Sequence, residues 1–246
     1  MAKLYANISI DHQNRSEILE SRIVTAAQCN ADAVIITKSN PVYIIPDQNK
    51  YAPKESRWGN ISYIDYARRC EVSADECKHL TDLCNHIGIP LIWAITDIDS
   101  AEFIKEYSNA DTVKIHALAP DKESLGKFCF ENFNHVIYHY SQEEQIKDRY
   151  IFKTREKYSI YYSVESNSSL EELRLSTIDR LVSAHVKVGY ESIFPGVFPC
   201  VATAYKGVDY IEKFLGEDDS NPSICSPSQL YDFFKNLEIL ELANGK

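Results

Sequence analysis

The chain has 246 residues, of which 44% are hydrophobic, so it is long enough to bury a full core within one domain. Its 36 acidic residues outnumber its 26 basic residues, for a formal charge of −10, and no basic stretch stands out. Because nucleic acids and anionic membranes are bound by clustered lysine and arginine, we expect neither as a partner.

The sequence pattern contains neither a targeting segment nor a paired-cysteine framework. The N-terminal stretch is too polar for a signal sequence, and no apolar run approaches the length of a membrane span, so we expect a cytoplasmic location. The seven cysteines are an odd number without CxxC spacing. They predict reduced, mostly buried thiols rather than disulfides or a zinc site.

Short apolar runs alternate with segments of helical periodicity along the chain, a pattern typical of parallel strand and helix units. The predicted strands cover residues 4–10, 33–37, 91–95, 112–115, 136–139, 159–164, 186–189 and 208–213. The predicted helices cover residues 16–29, 73–86, 100–107, 121–130, 141–152, 168–184, a segment ending near 207, and 227–242. About eight such units favour an α/β fold, a single-domain (β/α)8 TIM barrel over residues 1–246. A doubly wound sheet is the alternative, but no glycine-rich phosphate turn follows a strand.

One long irregular segment, at about residues 38–71, interrupts this alternation. It is rich in proline and tyrosine, and only Tyr63 to Arg69 has a helical pattern. A loop of this length is either functional, such as a lid, or an elaborated surface loop. Just after it, Ser73 and Glu76 have the spacing of a capping box, which predicts the start of the next helix.

Functional groups of a parallel barrel lie at the carboxyl ends of its strands and in the loops that follow. Lys114 is the clearest candidate because it occupies an otherwise apolar strand. A lysine that faces a barrel interior requires an anionic partner, a lowered pKa or a route to solvent. We expect it to bind an anionic substrate group or to form a Schiff base. The alternative is an ion pair to Glu212 or Asp97 that merely fills the barrel.

Other polar residues near the strand ends extend this candidate site. Glu165 and Glu191 follow adjacent strands and are, with Lys114, the candidates for catalysis, the two glutamates as general acid and base. The candidates for substrate binding are Lys114, Asp97, His116, His139, Tyr162 and Glu212. Tyrosines at the same strand ends are suited to stacking on a sugar, although ordinary packing is their commoner role.

A metal site is a weaker hypothesis. His12, His116 and His139 come from three different strand ends, and they would bind a metal only where they converge. No spacing motif supports that arrangement, and hydrogen-bonded structural histidines are the alternative.

Six short motifs, taken in order along the chain, resemble those of the NeuB-type sialic acid synthases. The first three matches are residues 6–12 with AEIGINHNG, 31–34 with ADAVKFQ, and 84–95 plus Asp97 with C-x-x-x-G-I-x-F-L-S-T-P-F-D. The other three are residues 113–115 with YKIASG, 189–190 with the start of GYSDHT, and 210–214 with VIEKHFT. The resemblance covers the whole barrel and implies the (β/α)8 fold. It also implies an ancestral reaction in which a divalent metal assists the condensation of phosphoenolpyruvate with an N-acetylated amino sugar.

The departures from these motifs fall where the family's chemistry is expected. The family's two metal-ligand histidines correspond to Tyr162 and Ile193, and its phosphate-contacting lysine corresponds to Ile35. Four further motif residues are also replaced: the glutamate by Asn7, the glutamine by Thr37, the serine by Ala117 and the histidine of VIEKHFT by Phe214. Isoleucine cannot coordinate a metal, and tyrosine is a poor substitute for imidazole. The resemblance also leads us to expect that the family's small C-terminal antifreeze-like domain is missing.

Two functions are consistent with this resemblance. The first is a degenerate synthase homologue with a binding or assembly role in nonulosonic acid or surface-glycan metabolism, for which no cofactor is expected. The alternative is an active carbon–carbon bond-forming transferase that makes a sialic-acid-like sugar with rearranged catalytic residues and a divalent Mn or Mg ion. We expect a small anionic or sugar ligand, and a second copy of the chain or an active synthase as the protein partner.

Overall fold

The computed structural model describes residues 2–9, 12–140, 173, 175–183, 187–216 and 223–243, together with the backbone of residues 158–163. Its strands are β1 (Lys3–Asn7), β2 (Ala33–Lys38), β3 (Pro53–Ser56), β4 (Gly59–Ser62), β5 (Leu91–Ile95), β6 (Thr112–Ile115), β7 (His135–Tyr140), β8 (Tyr158–Ser163), β9 (Lys187–Ser192), β10 (Tyr210–Leu215) and β11 (Ile224–Cys225). Its helices are α1 (Ser16–Gln28), α2 (Pro41–Ile44), α3 (Asp47–Lys50), α4 (Tyr63–Cys70), α5 (Ala74–Ile87), α6 (Ile98–Tyr107), α7 (Lys122–Asn132), α8 (Leu175–Ser183), α9 (Phe198–Tyr205) and α10 (Pro227–Ala243).

The main sheet closes into a parallel barrel. Its strands run in the order β1, β2, β5, β6, β7, β8, β9, β10, and β10 pairs with β1 to complete the ring. The short strand β11 pairs in parallel with the last two residues of β10, and β3 and β4 form a separate hairpin. This ring of parallel strands confirms the predicted (β/α)8 TIM barrel and rules out the doubly wound sheet, which is open.

Two apolar layers form because successive strand residues alternate between the two faces of the barrel wall. Leu4 and Ala6 of β1 point outward into a large core that includes Leu19 and Ile23 of α1. Inside the barrel, a smaller apolar cluster consists of Tyr5, Ala33, Ile35, Ile92, Ala94, Ile137 and Tyr210. This inner cluster does not fill the barrel, whose remaining interior positions carry buried polar side chains.

The predicted long loop at residues 38–71 is a structured excursion. It holds α2, α3, the β3–β4 hairpin and α4, so the helical pattern from Tyr63 is confirmed and the hairpin was missed. At the hairpin tip, the backbone N–H of Arg57 donates to Gln13 Oε1 over 3.2 Å, and its guanidinium donates to the Asn14 carbonyl over 3.2 Å. The excursion therefore lies against the loop after β1, at the carboxyl end of the barrel.

The strand predicted at residues 186–189 is longer than expected. Strand β9 continues to Ser192, so Tyr190 and Glu191 lie in a strand and not in the loop where the sequence placed them. Its parallel ladder with β10 pairs Glu191 with Glu212, which carries the strand beyond Gly189. The first predicted strand is shorter than expected and ends at Asn7.

Side-chain caps set the starts of α5, α6 and α7. Ser73 accepts a hydrogen bond from the Glu76 N–H over 3.3 Å and the Ser73 N–H donates to Glu76 over 3.0 Å, the predicted capping box. Helix α5 ends at Gly88, whose φ of 83° lies in the left-handed region that favours glycine. Asp97 and Asp121 cap α6 and α7 in the same way as Ser73 caps α5, by accepting from a backbone N–H three residues on.

The cysteines are as the sequence predicts. All seven are free thiols, and all but Cys70 are buried. Burial raises the pKa of Cys84 and of Cys129 to about 12, so these thiols stay protonated at neutral pH. Among the helices of the described ranges, none is long and apolar enough to cross a membrane.

Candidate functional site

A buried ion cluster occupies the centre of the barrel. The Lys114 ammonium on β6 lies 2.7 Å from Glu212 Oε2 on β10 and also donates to Glu191 Oε2 on β9. All three side chains are at most 6% exposed. The register that pairs Glu191 with Glu212 aims both carboxylates at Lys114 across the barrel. Of the two barrel-filling partners expected for Lys114, Glu212 is therefore the one that contacts it.

Further polar groups extend the cluster in both directions. The Asn7 side-chain amide donates to Glu212 Oε1 over 2.8 Å. On the other side, His139 Nδ1 lies 3.3 Å from Glu191 Oε2, and the rings of His116 and His139 meet edge to face with centroids 5.6 Å apart. A continuous line of polar side chains thus runs across the barrel interior to the carboxyl end of β6 and β7. Lys114 and the two glutamates compensate each other's charge, which is necessary because an unpaired buried charge is costly.

The two glutamates of the cluster titrate very differently. Burial raises the pKa of Glu212 to about 7, because the attraction of Lys114 does not offset the desolvation and the repulsion of Glu191. Burial also opposes ionisation of Glu191, but the neighbouring His139 and Lys114 outweigh it and lower its pKa to about 2. Burial lowers the pKa of Lys114, yet the two carboxylates outweigh that effect and leave it above the ordinary value. Lys114 therefore pairs with an ionised Glu191, while Glu212 exchanges its proton near neutrality.

The proton on Glu212 gives the first testable prediction. A carboxyl that binds its proton more tightly in the folded state lowers stability as the pH rises, here between its ordinary pKa of 4.5 and about 7. Between pH 5 and pH 8, the free energy of unfolding of the wild type should fall by about 2–3 kcal/mol relative to that of Glu212→Gln. Urea unfolding at both pH values measures the difference. Parallel pH profiles for the two proteins would contradict the assignment.

Two neutral imidazoles lie on the Glu191 side of this cluster. Burial lowers the pKa of His116 to about 4, and burial likewise holds the pKa of His139 well below its ordinary value. His116 Nδ1 accepts a hydrogen bond from the Leu118 N–H over 3.2 Å, so the proton of its neutral ring is on Nε2. Both rings are uncharged at neutral pH, and His116 presents an N–H donor.

Asp97 lies outside the ion cluster and has a structural task. Its carboxylate accepts from the Ser100 N–H at 2.8 Å, the Ser100 hydroxyl at 2.9 Å, the Thr96 hydroxyl at 2.7 Å and the Asn40 N–H at 2.9 Å. These bonds cap α6 and tie the loop after β2 to the end of β5. Asp97 also lines a cavity of about 360 Å³ with Asp99 and Asp121, which makes that part of the mouth acidic.

The three candidate metal-binding histidines do not share one contact cluster. His116 and His139 are neighbours, whereas the charged groups that act on His12 are Arg22 of α1 and Glu76 of α5. Within the ranges that the structure covers, no group of three or more His, Cys, Asp or Glu side chains is arranged to hold a metal ion. Their convergence on a metal was a hypothesis, and the geometry does not favour it.

The positions that hold the metal in the resembled family lack suitable donors here. The Ile193 side chain is a hydrocarbon, and its carbonyl is engaged by the Ser223 hydroxyl at 2.7 Å. Tyr162 lies on β8, in register with Tyr140 and Tyr190, and its backbone alone is described. The residues present therefore do not fit the family's metal centre. Glu165, Asp11 and the helix predicted at residues 141–152 lie outside the described residues.

One residue of this region was missed from the sequence. Lys122, the first residue of α7, donates to the His139 carbonyl over 2.9 Å and lies 4.9 Å from the centroid of the Tyr140 ring. It begins the helix that follows β6, so its position next to a strand–helix loop was the available signal. Lysines at helix starts are mostly solvated, and for that reason it did not stand out.

Comparisons with known proteins agree with this architecture. A family model described as the NeuB family matches residues 22–245, and no curated protein matches the chain. The fold resembles that of an N-acetylneuraminic acid (sialic acid) synthetase from Leptospira borgpetersenii serovar Hardjo-bovis, solved with citrate, at a TM-score of 0.83 and 16% identity over 100% of this chain and 85% of that one. A spore coat polysaccharide biosynthesis protein of Bacillus subtilis matches with a TM-score of 0.74 and 20% identity over 99% of this chain and 70% of its own. A truncated 3-deoxy-D-arabino-heptulosonate 7-phosphate synthase of Thermotoga maritima matches with a TM-score of 0.68 and 12% identity, over 99% of this chain and 88% of that one. At these identities the likeness establishes the fold.

Proposed function

The chain belongs to the NeuB family, and from that membership we propose that it is a degenerate synthase homologue of nonulosonic acid or surface-glycan metabolism. In this proposal the metal- and phosphoenolpyruvate-dependent condensation is lost, and the barrel serves to bind a small anionic or sugar ligand or to assemble with a partner. Fold membership alone does not carry this conclusion, because one barrel supports many chemistries. The contacts of Lys114 carry it.

The central observation is that Lys114 is already neutralised from within the chain. In the motif that residues 189–190 resemble, GYSDHT, the third residue is a serine, and here that position is Glu191. The Glu191 carboxylate occupies the place beside Lys114 that a substrate anion would need. It accepts a hydrogen bond directly from the Lys114 ammonium and stays ionised at neutral pH. A phosphate or carboxylate approaching Lys114 would meet a fixed negative charge instead of an open cation.

Two other substitutions support the same conclusion. Ile35, at the position of the family's phosphate-contacting lysine, is fully buried in the apolar cluster inside the barrel. Ile193 offers no side-chain donor at a metal-ligand position. In this proposal the anion site is lost because Ile35 replaces a lysine and Lys114 is paired to Glu191. The electrophilic activation of the ancestral reaction is lost because Ile193 replaces a metal ligand.

Calorimetric titration with Mn²⁺ and phosphoenolpyruvate tests this proposal directly. We expect neither compound to bind with micromolar affinity, separately or together, because the anion site is filled by Glu191 and the metal positions lack donors. Incubation with phosphoenolpyruvate, N-acetylmannosamine and Mn²⁺ should release no phosphate. Micromolar binding of both compounds, or steady phosphate release, would refute the loss of the condensation.

A second candidate is an active condensing enzyme with rearranged catalytic residues, and one observation favours it. Glu212 has a pKa of about 7 beside a buried lysine, the property of a general acid or base that works at neutral pH. The same phosphate-release assay separates the two candidates. Turnover by the wild type that disappears in a Lys114→Met protein shown to be folded by circular dichroism would establish the second, whereas turnover unchanged in that variant would exclude a catalytic role for Lys114.

A further inference from the structure

Lys122 places a cation at the carboxyl end of β7. Its ammonium donates one hydrogen bond, to the His139 carbonyl at 2.9 Å, and lies over the face of Tyr140 with 4.9 Å to the ring centroid. Lys122 directly follows Asp121, which lines the acidic cavity at the ends of β5 and β6, and its ammonium lies at the end of the next strand in the barrel order, β7. An ammonium group carries three donors, so two remain for a ligand or water.

No charged partner within the described ranges accounts for Lys122. It forms no ion pair with a carboxylate there, and burial is the sole cause that lowers its pKa, to about 8. At neutral pH the side chain is therefore still mostly an ammonium, in a partly desolvated position. A half-buried cation with no counter-charge among the described residues is costly, and an anionic ligand would remove that cost.

A second donor belongs to the same part of the mouth. Lys122 acts electrostatically on His116, and the ring of His116 packs edge to face against that of His139, whose carbonyl Lys122 binds. The His116 side chain is partly exposed and carries its proton on Nε2, since Nδ1 accepts from Leu118. The mouth thus combines one cation with one neutral N–H donor, beside an aromatic face.

We propose that Lys122 and His116 form a binding subsite for a compact oxyanion, the carboxylate or phosphate group of a sugar-sized ligand whose ring packs near Tyr140. The inference rests on the proposed function and deepens it, because it gives the chemical class of the ligand and its place. It differs from the ancestral anion site at Lys114, which is closed by Glu191. The subsite lies at the carboxyl end of β7, and Lys122 is not part of the buried ion cluster of Lys114, Glu191 and Glu212.

Isothermal titration with four probes tests the subsite. Glucose 6-phosphate and glucuronate carry the two candidate oxyanions, inorganic phosphate carries the anion without a sugar, and glucose carries neither charge. We expect at least one charged sugar to bind more tightly than glucose, and the better of the two identifies the anion. Lys122→Met should weaken that binding at least about tenfold, the usual effect of losing a charged hydrogen bond.

Matched variants make the result specific. Lys127→Met removes a lysine one turn further along α7 that pairs with Glu123 on the exposed surface, and it should leave affinity unchanged. His116→Phe keeps a ring but removes the donor, and it should weaken binding of the same probe. Thermal unfolding confirms that each variant is folded.

The proposal is overturned where the wild type binds no charged probe better than glucose, or where folded Lys122→Met binds as tightly as Lys127→Met. Failure of the proposed function has a separate signature. Phosphate release from phosphoenolpyruvate would refute the loss of condensation, while a Lys122-dependent affinity for the charged sugar would stand.

Discussion

Lys114→Met is expected to lower the free energy of unfolding by about 3–5 kcal/mol at pH 8, the usual cost of removing one partner from a buried ion pair. At that pH both Glu191 and Glu212 are ionised in the folded state, since their pKa values are about 2 and about 7. Lys114 lowers the pKa of both groups, so without it two side chains that are at most 6% exposed must either hold unpaired negative charges or take up a proton, and either outcome costs stability. Urea unfolding of the variant and the wild type measures the loss.

A surface lysine provides the control for this experiment. Lys206 pairs with Asp179 at 2.8 Å, but its side chain is 30% exposed and that of Asp179 is 48% exposed. Lys206→Met should therefore cost less than about 1 kcal/mol. Adding Glu191→Gln to Lys114→Met should recover part of the lost stability, because it removes one uncompensated charge. Equal losses for Lys114→Met and Lys206→Met would show that the buried cluster does not hold the barrel centre together.

Much of the scaffold follows from local sequence patterns. Strands β5 and β6 have the predicted bounds because each is a short apolar run between turn-forming residues. The start of α5 follows from two residues, Ser73 and Glu76, whose side chains satisfy the first free N–H groups of the helix. Such signals act over three or four positions, so one sequence suffices to see them.

The centre of the barrel depends on contacts that no local pattern displays. Lys114 and Glu191 are 77 residues apart, and Lys114 and Glu212 are 98 apart. Both glutamates were named as candidates from the sequence. Their shared contact with Lys114 could not be predicted, because it depends on the register of β9 against β10. The same cause explains the misplaced end of β9. Glutamate and serine are poor strand formers, and a buried counter-charge on another strand overrides that preference.

The substitution Glu191→Ser is expected to raise the affinity for phosphoenolpyruvate by about tenfold to a hundredfold. It replaces the internal carboxylate with the residue of the resembled GYSDHT motif and leaves Lys114 paired to Glu212 alone. A carboxylate about 5 Å from a bound phosphate repels it by about 3 kcal/mol at an effective dielectric constant of about 20, which is about a hundredfold in affinity. Calorimetric titration of the variant and the wild type measures the gain.

Two further variants decide what that gain means. Glu191→Gln removes the charge but keeps the shape, so a gain in both variants identifies charge as the barrier, whereas a gain in Glu191→Ser alone identifies volume. Glu238→Ser removes an exposed carboxylate that pairs with Lys235 on α10, and it should leave the affinity unchanged. If none of these variants binds phosphoenolpyruvate better than the wild type, Glu191 is not what closes the site at Lys114. The loss of the second cation, at Ile35, would then be the dominant barrier.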